Sequence, residues 1–156
     1  MSAILRDPRV EIRLMREGDL ESVFANERSA YSHPWTMGIL RDCLRVGYDC
    51  QVVLLDKRIV GHVVLSVSVG EAHLLNLCVA EEAQRQGLGR RLLKRVMRLA
   101  REKEADTVFL EVRASNVAAR ELYETEGFCE VGRRRGYYPH DEHDREDAIV
   151  YAKSLL

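Results

Sequence analysis

An apolar run from Ala72 to Val79 leads into the turn Gln84-Arg85-Gln86-Gly87-Leu88-Gly89-Arg90, and a helix follows to about Lys103. Leu88, Leu92, Val96 and Leu99 recur in it at helical spacing, with arginines on the other side. Such a helix lays one apolar stripe against a sheet and keeps the rest in water. Strand, glycine turn and helix in that order commit this stretch to a layered α/β arrangement. They also aim several backbone N–H groups and the helix dipole at one point, which suits an anionic phosphate group. The glycines admit close approach without Cβ atoms, and Arg85 and Arg90 add charge-assisted contacts. A Walker loop is excluded, because Arg90 and Arg91 follow the glycines where Lys and Ser/Thr are needed. A dinucleotide fold is excluded because position 92 is Leu, not the third glycine. A glycine turn with no ligand remains the plain alternative.

The flanking segments supply the sheet. Val10, Ile12 and Leu14 alternate with charged residues as a first strand. Asp19 caps a helix to about Tyr31, His33-Pro34-Trp35 breaks it, and Thr36 caps a second to about Val46. Strands over 49–55 and 59–67 form a hairpin, and a third runs over 72–79. After the amphipathic helix come a strand over 107–112, a helix over 116–126 capped by Asn116 and closed by Gly127, and strands over 128–134 and 146–153. Seven strands and four helices in this order predict an α/β (mixed α+β) fold, a mixed sheet with helices packed on it. At 156 residues, with no linker or internal repeat, a single domain over 1–156 is expected.

Charge and cysteines limit the function classes. Lys and Arg number 24 against 25 Asp and Glu, for a net charge of -1, which argues against a general nucleic-acid binder. No apolar run approaches the ~20 residues that span a bilayer. Residues 1–10 include Arg6, Asp7 and Arg9 and lack the apolar stretch of a leader, so a cytoplasmic protein without membrane contact is expected. Cys43, Cys50, Cys78 and Cys129 contain no Cys-x-x-Cys pair and are expected to be free, mostly buried thiols.

The strand Val108-Phe109-Leu110-Glu111-Val112 carries one carboxylate in an apolar run. Alternation places Phe109, Glu111 and Arg113 on one face and Val108, Leu110 and Val112 on the other. A mid-strand glutamate needs a partner or a wet face. It is either an ion pair with Arg113 or another arginine, or a general base beside a cleft. Tyr123 is either a core ring beside Leu122 and Phe128 or a hydroxyl positioned to donate a proton. Asn116 is a helix cap or, in addition, a ligand contact.

Gln84-x-x-Gly87-x-Gly89, opening a helix after an apolar strand, resembles the acetyl-CoA pyrophosphate loop of the GNAT N-acetyltransferases. The element order is similar to that family's fold, a splayed central sheet of about seven strands with about four helices on both faces. The resemblance implies acetyl-CoA as co-substrate and no metal. It implies that Gln84, Arg85, Gln86, Gly87, Leu88, Gly89 and Arg90 hold the phosphates. It implies further that backbone groups of Leu77, Cys78 and Val79 hold the pantetheine arm, together with the Asn116 amide. A backbone N–H near Val79 then polarises the thioester carbonyl. The resemblance extends through Pro34-Trp35, Leu110 to Asn116, Leu122-Tyr123-x-x-x-Gly127-Phe128, Tyr137-Tyr138-Pro139 and Arg145 to Ala148. With these it is similar to the members that acetylate the N-terminal alanine of a small-subunit ribosomal protein. That likeness implies Glu111 as base and Tyr123 as acid, with direct transfer in a ternary complex and no cysteine intermediate. Trp35, Tyr137 and Tyr138 are the candidates for holding the peptide, although Trp35 also reads as a core anchor and the tyrosines as cover for a strand edge. A monomer that touches no nucleic acid is expected. Another amine (a lysine side chain, a polyamine or an aminoglycoside) and a non-catalytic CoA-binding module are the rival readings.

His140-Asp141-Glu142-His143-Asp144 departs from the family pattern, being slightly longer and more charged. It reads as a solvated acidic loop rather than a metal site. His62 and His73, within strands, read as structural. The near-zero net charge conceals two local fields. Arg85, Arg90, Arg91, Lys94, Arg95, Arg98 and Arg101 form a run without an acid, whereas Asp141, Glu142, Asp144, Glu146 and Asp147 surround Arg145 alone. The acidic end is expected to attract a basic peptide.

Overall fold

The computed structural model describes residues 9–142 and 144–156. The leader reading of residues 1–8 and the ligand reading of His143 fall outside them. The strands are β1 (Val10–Leu14), β2 (Asp49–Leu55), β3 (Arg58–Ser68), β4 (Glu71–Val79), β5 (Thr107–Arg113), β6 (Cys129–Pro139) and β7 (Arg145–Ser154). The helices are α1 (Leu20–Ala30), α2 (Met37–Arg45), α3 (Leu88–Glu102) and α4 (Val117–Thr125). The seven strands lie in the order β1-β2-β3-β4-β5-β7-β6. β4 and β5 pair in parallel, while β1–β2, β2–β3, β5–β7 and β6–β7 are antiparallel, so the sheet is mixed as expected. The parallel ladder covers four pairs, Glu71↔Thr107 to Leu74↔Leu110, while β4 continues to Val79 and β5 to Arg113.

Local chemistry explains the boundaries. Asp56 (φ 52°) and Lys57 (φ 67°) make the two-residue β2–β3 turn in the left-handed conformation that matches strand twist. Thr36 accepts the Ile39 N–H at 3.2 Å and starts α2, and Asn116 accepts the Ala119 N–H at 3.2 Å and starts α4. Gly127 (φ 94°) closes α4. Asp19 corrects an expectation: it precedes α1 but makes no capping bond into it. Its carboxylate is drawn instead to Arg13 (2.7 and 3.0 Å) and the Arg16 N–H (2.8 Å), and these partners hold it below the ordinary carboxylate range.

The chain forms two compact units. One comprises the residues up to Leu65 together with Asn76–Val96. Its core includes Leu20, Val23, Leu40, Cys43, Cys50, Val52 and Val64, with Phe24 and Trp35 packed against it. The other comprises Ser66–Leu75 and Met97–Leu156. Here Val108, Leu110, Val112, Tyr123, Phe128, Ile149 and Tyr151 are buried. β6 runs five residues beyond the expected end at Arg134, because the β6–β7 register shifts between Arg134 and Tyr138 and then resumes. Gly136 (φ 57°) makes the bulge, and the Asp147 carboxylate accepts its N–H at 2.9 Å. Arg145 donates to the Gly136 and Tyr137 carbonyls at 2.5 and 2.9 Å.

Candidate functional site

The first unit carries the glycine turn. Arg85 (φ 65°) and Gly87 (φ 79°) both take the left-handed conformation, and a Cβ built on Gly87 meets nothing within 4 Å. Gln84, Arg85, Gln86 and Gly87 are exposed, Gly89 and Arg90 half-buried, and Leu88 buried. Leu88 is thus a core anchor that offers only its backbone to a ligand. α3 has no acidic residue in its first turn. An open backbone loop at the N-terminus of a fifteen-residue helix fits a diphosphate, since helix N-termini leave N–H groups without intrahelical acceptors.

Alternation along the end of β4 divides its backbone groups. The Leu77 carbonyl accepts the Tyr31 hydroxyl, and the Val79 carbonyl accepts Gln84 Nε2 at 2.9 Å. The Cys78 carbonyl faces β3, where a Cβ on Gly61 would stand 2.8 Å from it. Of the three residues expected to bind the pantetheine arm, Cys78 therefore directs its carbonyl at a neighbouring strand. Its thiol is buried and donates to the Asn26 carbonyl at 3.7 Å; burial, then Glu27, pushes its ionisation far up.

Beside Cys78 lies a polar cluster that sequence reasoning missed. Glu27, 2 % exposed, accepts the Trp35 N–H (2.9 Å) and Asn76 Nδ2 (3.1 Å), and pairs with His62 Nε2 (3.2 Å). Burial works against its charge, but these partners hold it below the ordinary carboxylate range. The Glu27, His62 and Cys78 donor atoms lie within 4.8 Å of one another. The carboxylate already has three donors and is itself satisfied, whereas His62 Nδ1 and Asn76 Oδ1 are buried without a hydrogen-bond partner. His62 is structural, as expected, and Trp35 is both tied to Glu27 and packed on the core.

The second unit carries the carboxylate. β5 alternates as expected: Val108, Leu110 and Val112 are buried, while Phe109, Glu111 and Arg113 are half-buried. Glu111 Oε2 lies 2.7 Å from Arg134 Nε. The same oxygen is shielded from solvent and receives no well-aimed hydrogen bond, so the contact is Coulombic without being directional. The expected alternative partner, Arg113, is committed elsewhere. It donates to the Pro139 carbonyl (2.8 Å), pairs with Glu146 (3.3 Å) and stacks 4.5 Å over the Tyr138 ring.

Tyr123 is 7 % exposed, edge-on to Phe128 at 5.8 Å and tilted against Tyr151 at 6.3 Å. Burial, then neighbouring Tyr138, holds its hydroxyl protonated well beyond the ordinary tyrosine range. Tyr138 also feels Glu111, and burial first of all pushes it up to about 12. Tyr151 pairs with Leu110 in register, whereas Glu111 pairs with Val150. Glu111 and the Tyr123 ring therefore belong to opposite faces of the sheet. Tyr137 is 45 % exposed and edge-on to Tyr138 at 5.0 Å. Both lie within β6, after the bulge.

The acidic end is less free than its composition implies. Glu146 accepts the Ser115 N–H (2.6 Å) and also meets Arg113 and His140; Asp147 is spent on Gly136. Asp141 accepts the Asp144 N–H at 2.9 Å.

Residues 14–128 match the model of the Acetyltransferase (GNAT) family. Over 134 residues the chain is 35% identical to the [ribosomal protein bS18]-alanine N-acetyltransferase of Haemophilus influenzae, covering 86% of this chain and 91% of that protein. It is 37% identical to the Escherichia coli protein of the same name over 134 residues, covering 86% and 90%. The crystal structure of the ribosomal-protein-S18-alanine N-acetyltransferase from Escherichia coli superimposes with a TM-score of 0.87 at 34% identity, covering 94% of each chain. Ard1 from Thermoplasma volcanium superimposes with a TM-score of 0.86 at 28% identity, covering 95% of this chain and 99% of that one.

Proposed function

We propose, from the premise that this chain belongs to the acetyltransferase (GNAT) family, that it acetylates the N-terminal alanine of the small-subunit ribosomal protein bS18. The observation that carries this reading is the 35% and 37% identity, over 134 residues, to proteins named for that reaction. The whole chain acts as one acetyltransferase domain, a monomer in the cytoplasm that works on a protein chain rather than on nucleic acid. No helix among the described residues is long and apolar enough to cross a membrane.

Acetyl-CoA, when bound, supplies an acyl thioester. The Gln84–Arg90 loop binds its phosphates through backbone N–H groups and arginine charge. The Leu77 and Val79 backbone and the Asn116 amide orient the arm. Trp35, Tyr137 and Tyr138 hold the peptide. An α-amine titrates near pH ~8, so its neutral form is accessible at neutral pH, unlike that of a lysine near ~10.4. Glu111 accepts the proton that the amine sheds, directly or through water. Tyr123, which burial keeps protonated, holds a proton at its hydroxyl for the departing sulfur. Such acid–base steps are worth about 10²–10⁴ in rate.

The test is to incubate the protein with acetyl-CoA and four acceptors, and to locate the acetyl group by mass spectrometry. The acceptors are a basic peptide beginning with Ala, the same peptide N-terminally blocked, a lysine peptide and a polyamine. Acetylation of the free Ala amine alone is expected. Modification of the blocked peptide, the lysine peptide or the polyamine alone overturns the reading, and so does binding of acetyl-CoA without turnover.

A further inference from the structure

Arg134 has no role in the mechanism above, yet it is the cation closest to the proposed base among the described contacts. We propose that its guanidinium occupies, beside Glu111, the place that the α-ammonium of the incoming peptide takes, and so acts as a place-holding counter-ion that the ammonium displaces on binding. The proposal rests on the reading of Glu111 as the group that meets the substrate amine.

Four observations carry it. First, register brings the pair together. Arg113 and Arg134 both oppose Ala148 of β7, on the face that holds Glu111. The small Ala148 lets the long arginine reach across β7 to Glu111 Oε2 at 2.7 Å. Second, the contact is easily exchanged. The Arg134 side chain is 58% exposed and Glu111 27%, and the oxygen receives no directed hydrogen bond. Exposed pairs of this kind contribute only about 0.2–1 kcal/mol. Third, no other neighbour among the described residues can do the same. Arg113 is fixed by Glu146, Pro139 and the Tyr138 ring. Tyr138 is held in its neutral form, and Val150 of β7 is apolar. Fourth, Arg134 has somewhere to go. Its guanidinium already lies 5.2 Å from the centroid of the half-exposed Tyr137 ring, and a cation–π contact retains part of its stabilisation when it leaves the carboxylate. The bulge at Gly136, pinned by Asp147 and Arg145, sets Arg134 and Tyr137 on this short track.

An arriving ammonium thus exchanges one cation for another at Glu111. A neutral N-terminus gains nothing there and leaves the arginine in place, so Arg134 weakens binding of the free-amine end alone and tempers the preference that Glu111 gives to an ammonium.

The test uses the full-length protein with acetyl-CoA and two short amidated peptides. One begins with Ala and carries its α-ammonium as sole charge; the other is its desamino analogue, used as a competitive inhibitor. Arg134→Gln is expected to lower the KM of the free-amine peptide about two- to fivefold, the range that an exposed pair supplies, while the Ki of the desamino analogue stays put. kcat is expected to change less than KM, and Arg134→Lys to restore the wild-type KM. An unchanged KM overturns the proposal, and so does an equal change for both peptides. Glu111→Gln separates the two failures. If it abolishes the preference for the ammonium while Arg134→Gln does nothing, Arg134 is wrong and the base stands. If Glu111→Gln leaves both kcat and the preference intact, the reading of Glu111 itself fails.

Discussion

Glu27 and Glu111 are both withdrawn from bulk water, and they are treated in opposite ways. Glu27 sits in the first unit with a backbone N–H, an amide and an imidazole all directed at it. Glu111 sits in the second unit, half-buried, with one guanidinium nearby and no directed donor on the shielded oxygen. A saturated carboxylate has nothing left to offer a ligand, so it fastens a loop (Trp35) to two strands (His62 and Asn76). An unsaturated one keeps a lone pair for a proton or an ammonium. Unsatisfied buried polar atoms are uncommon, and what distinguishes a structural acid from a reactive one here is the count of aimed donors, not depth.

That contrast can be broken by substitution. Glu111→Gln has the largest expected effect, a loss of about 10²–10⁴ in kcat with the urea midpoint almost unmoved; a comparable loss of stability would erase the distinction. Glu27→Ala should do the reverse. It strands His62, Asn76 and the Trp35 N–H around an emptied site and should cost about 3–5 kcal/mol in equilibrium unfolding. Tyr123→Phe keeps the ring against Phe128 and Tyr151, so turnover should fall about 10²-fold at nearly constant Tm. Gly61→Ala sets a Cβ 2.8 Å from the Cys78 carbonyl and 2.9 Å from Val53 Cγ1. Overpacking against backbone should destabilise by about 1–3 kcal/mol, measured by the same unfolding curve. The smallest effect is one of pH. Because Glu27 is held below its ordinary value of 4.5, its share of stability is complete above that pH and is lost as the pH falls through the folded-state value. Urea midpoints between pH 6 and 3 should show this slope, and Glu27→Gln should flatten it.

Much of this was legible in one dimension because it is local. The period of two along Val108–Val112 separated Glu111 from its buried neighbours before any partner was known. The Gln84–Gly89 turn, the Thr36 and Asn116 caps and the glycine after α4 are set by residues three or four positions apart. What escaped depends on distance along the chain. Asn76 meets Glu27 across 49 residues and His62 across 35, and neither spacing leaves a periodic trace. Arg134 was hidden by the register of β6 on β7, which pairs it with Ala148. Until that pairing is known, nothing in the sequence indicates which strand its side chain crosses. Asp19 shows the converse failure, a residue with the right type and position for a cap that is drawn off by Arg13, six residues away.

The alternation of β5 has a further consequence for the proposed chemistry. Leu110 and Glu111 are sequence neighbours, but one belongs to the face on which Tyr123 leans and the other to the face opposite. On the proposed roles, the proton taken from the amine is therefore not the proton handed to the sulfur. Once the ammonium has released its first proton to solvent, the attack of the neutral amine ends with a neutral carboxyl on one side of the sheet and a phenolate on the other, a separation of one proton across a wall one strand thick. The site returns to its starting state through two independent exchanges with solvent, one on each face. The sheet then serves as a partition between two half-reactions, and a single peptide bond in β5 marks where it stands.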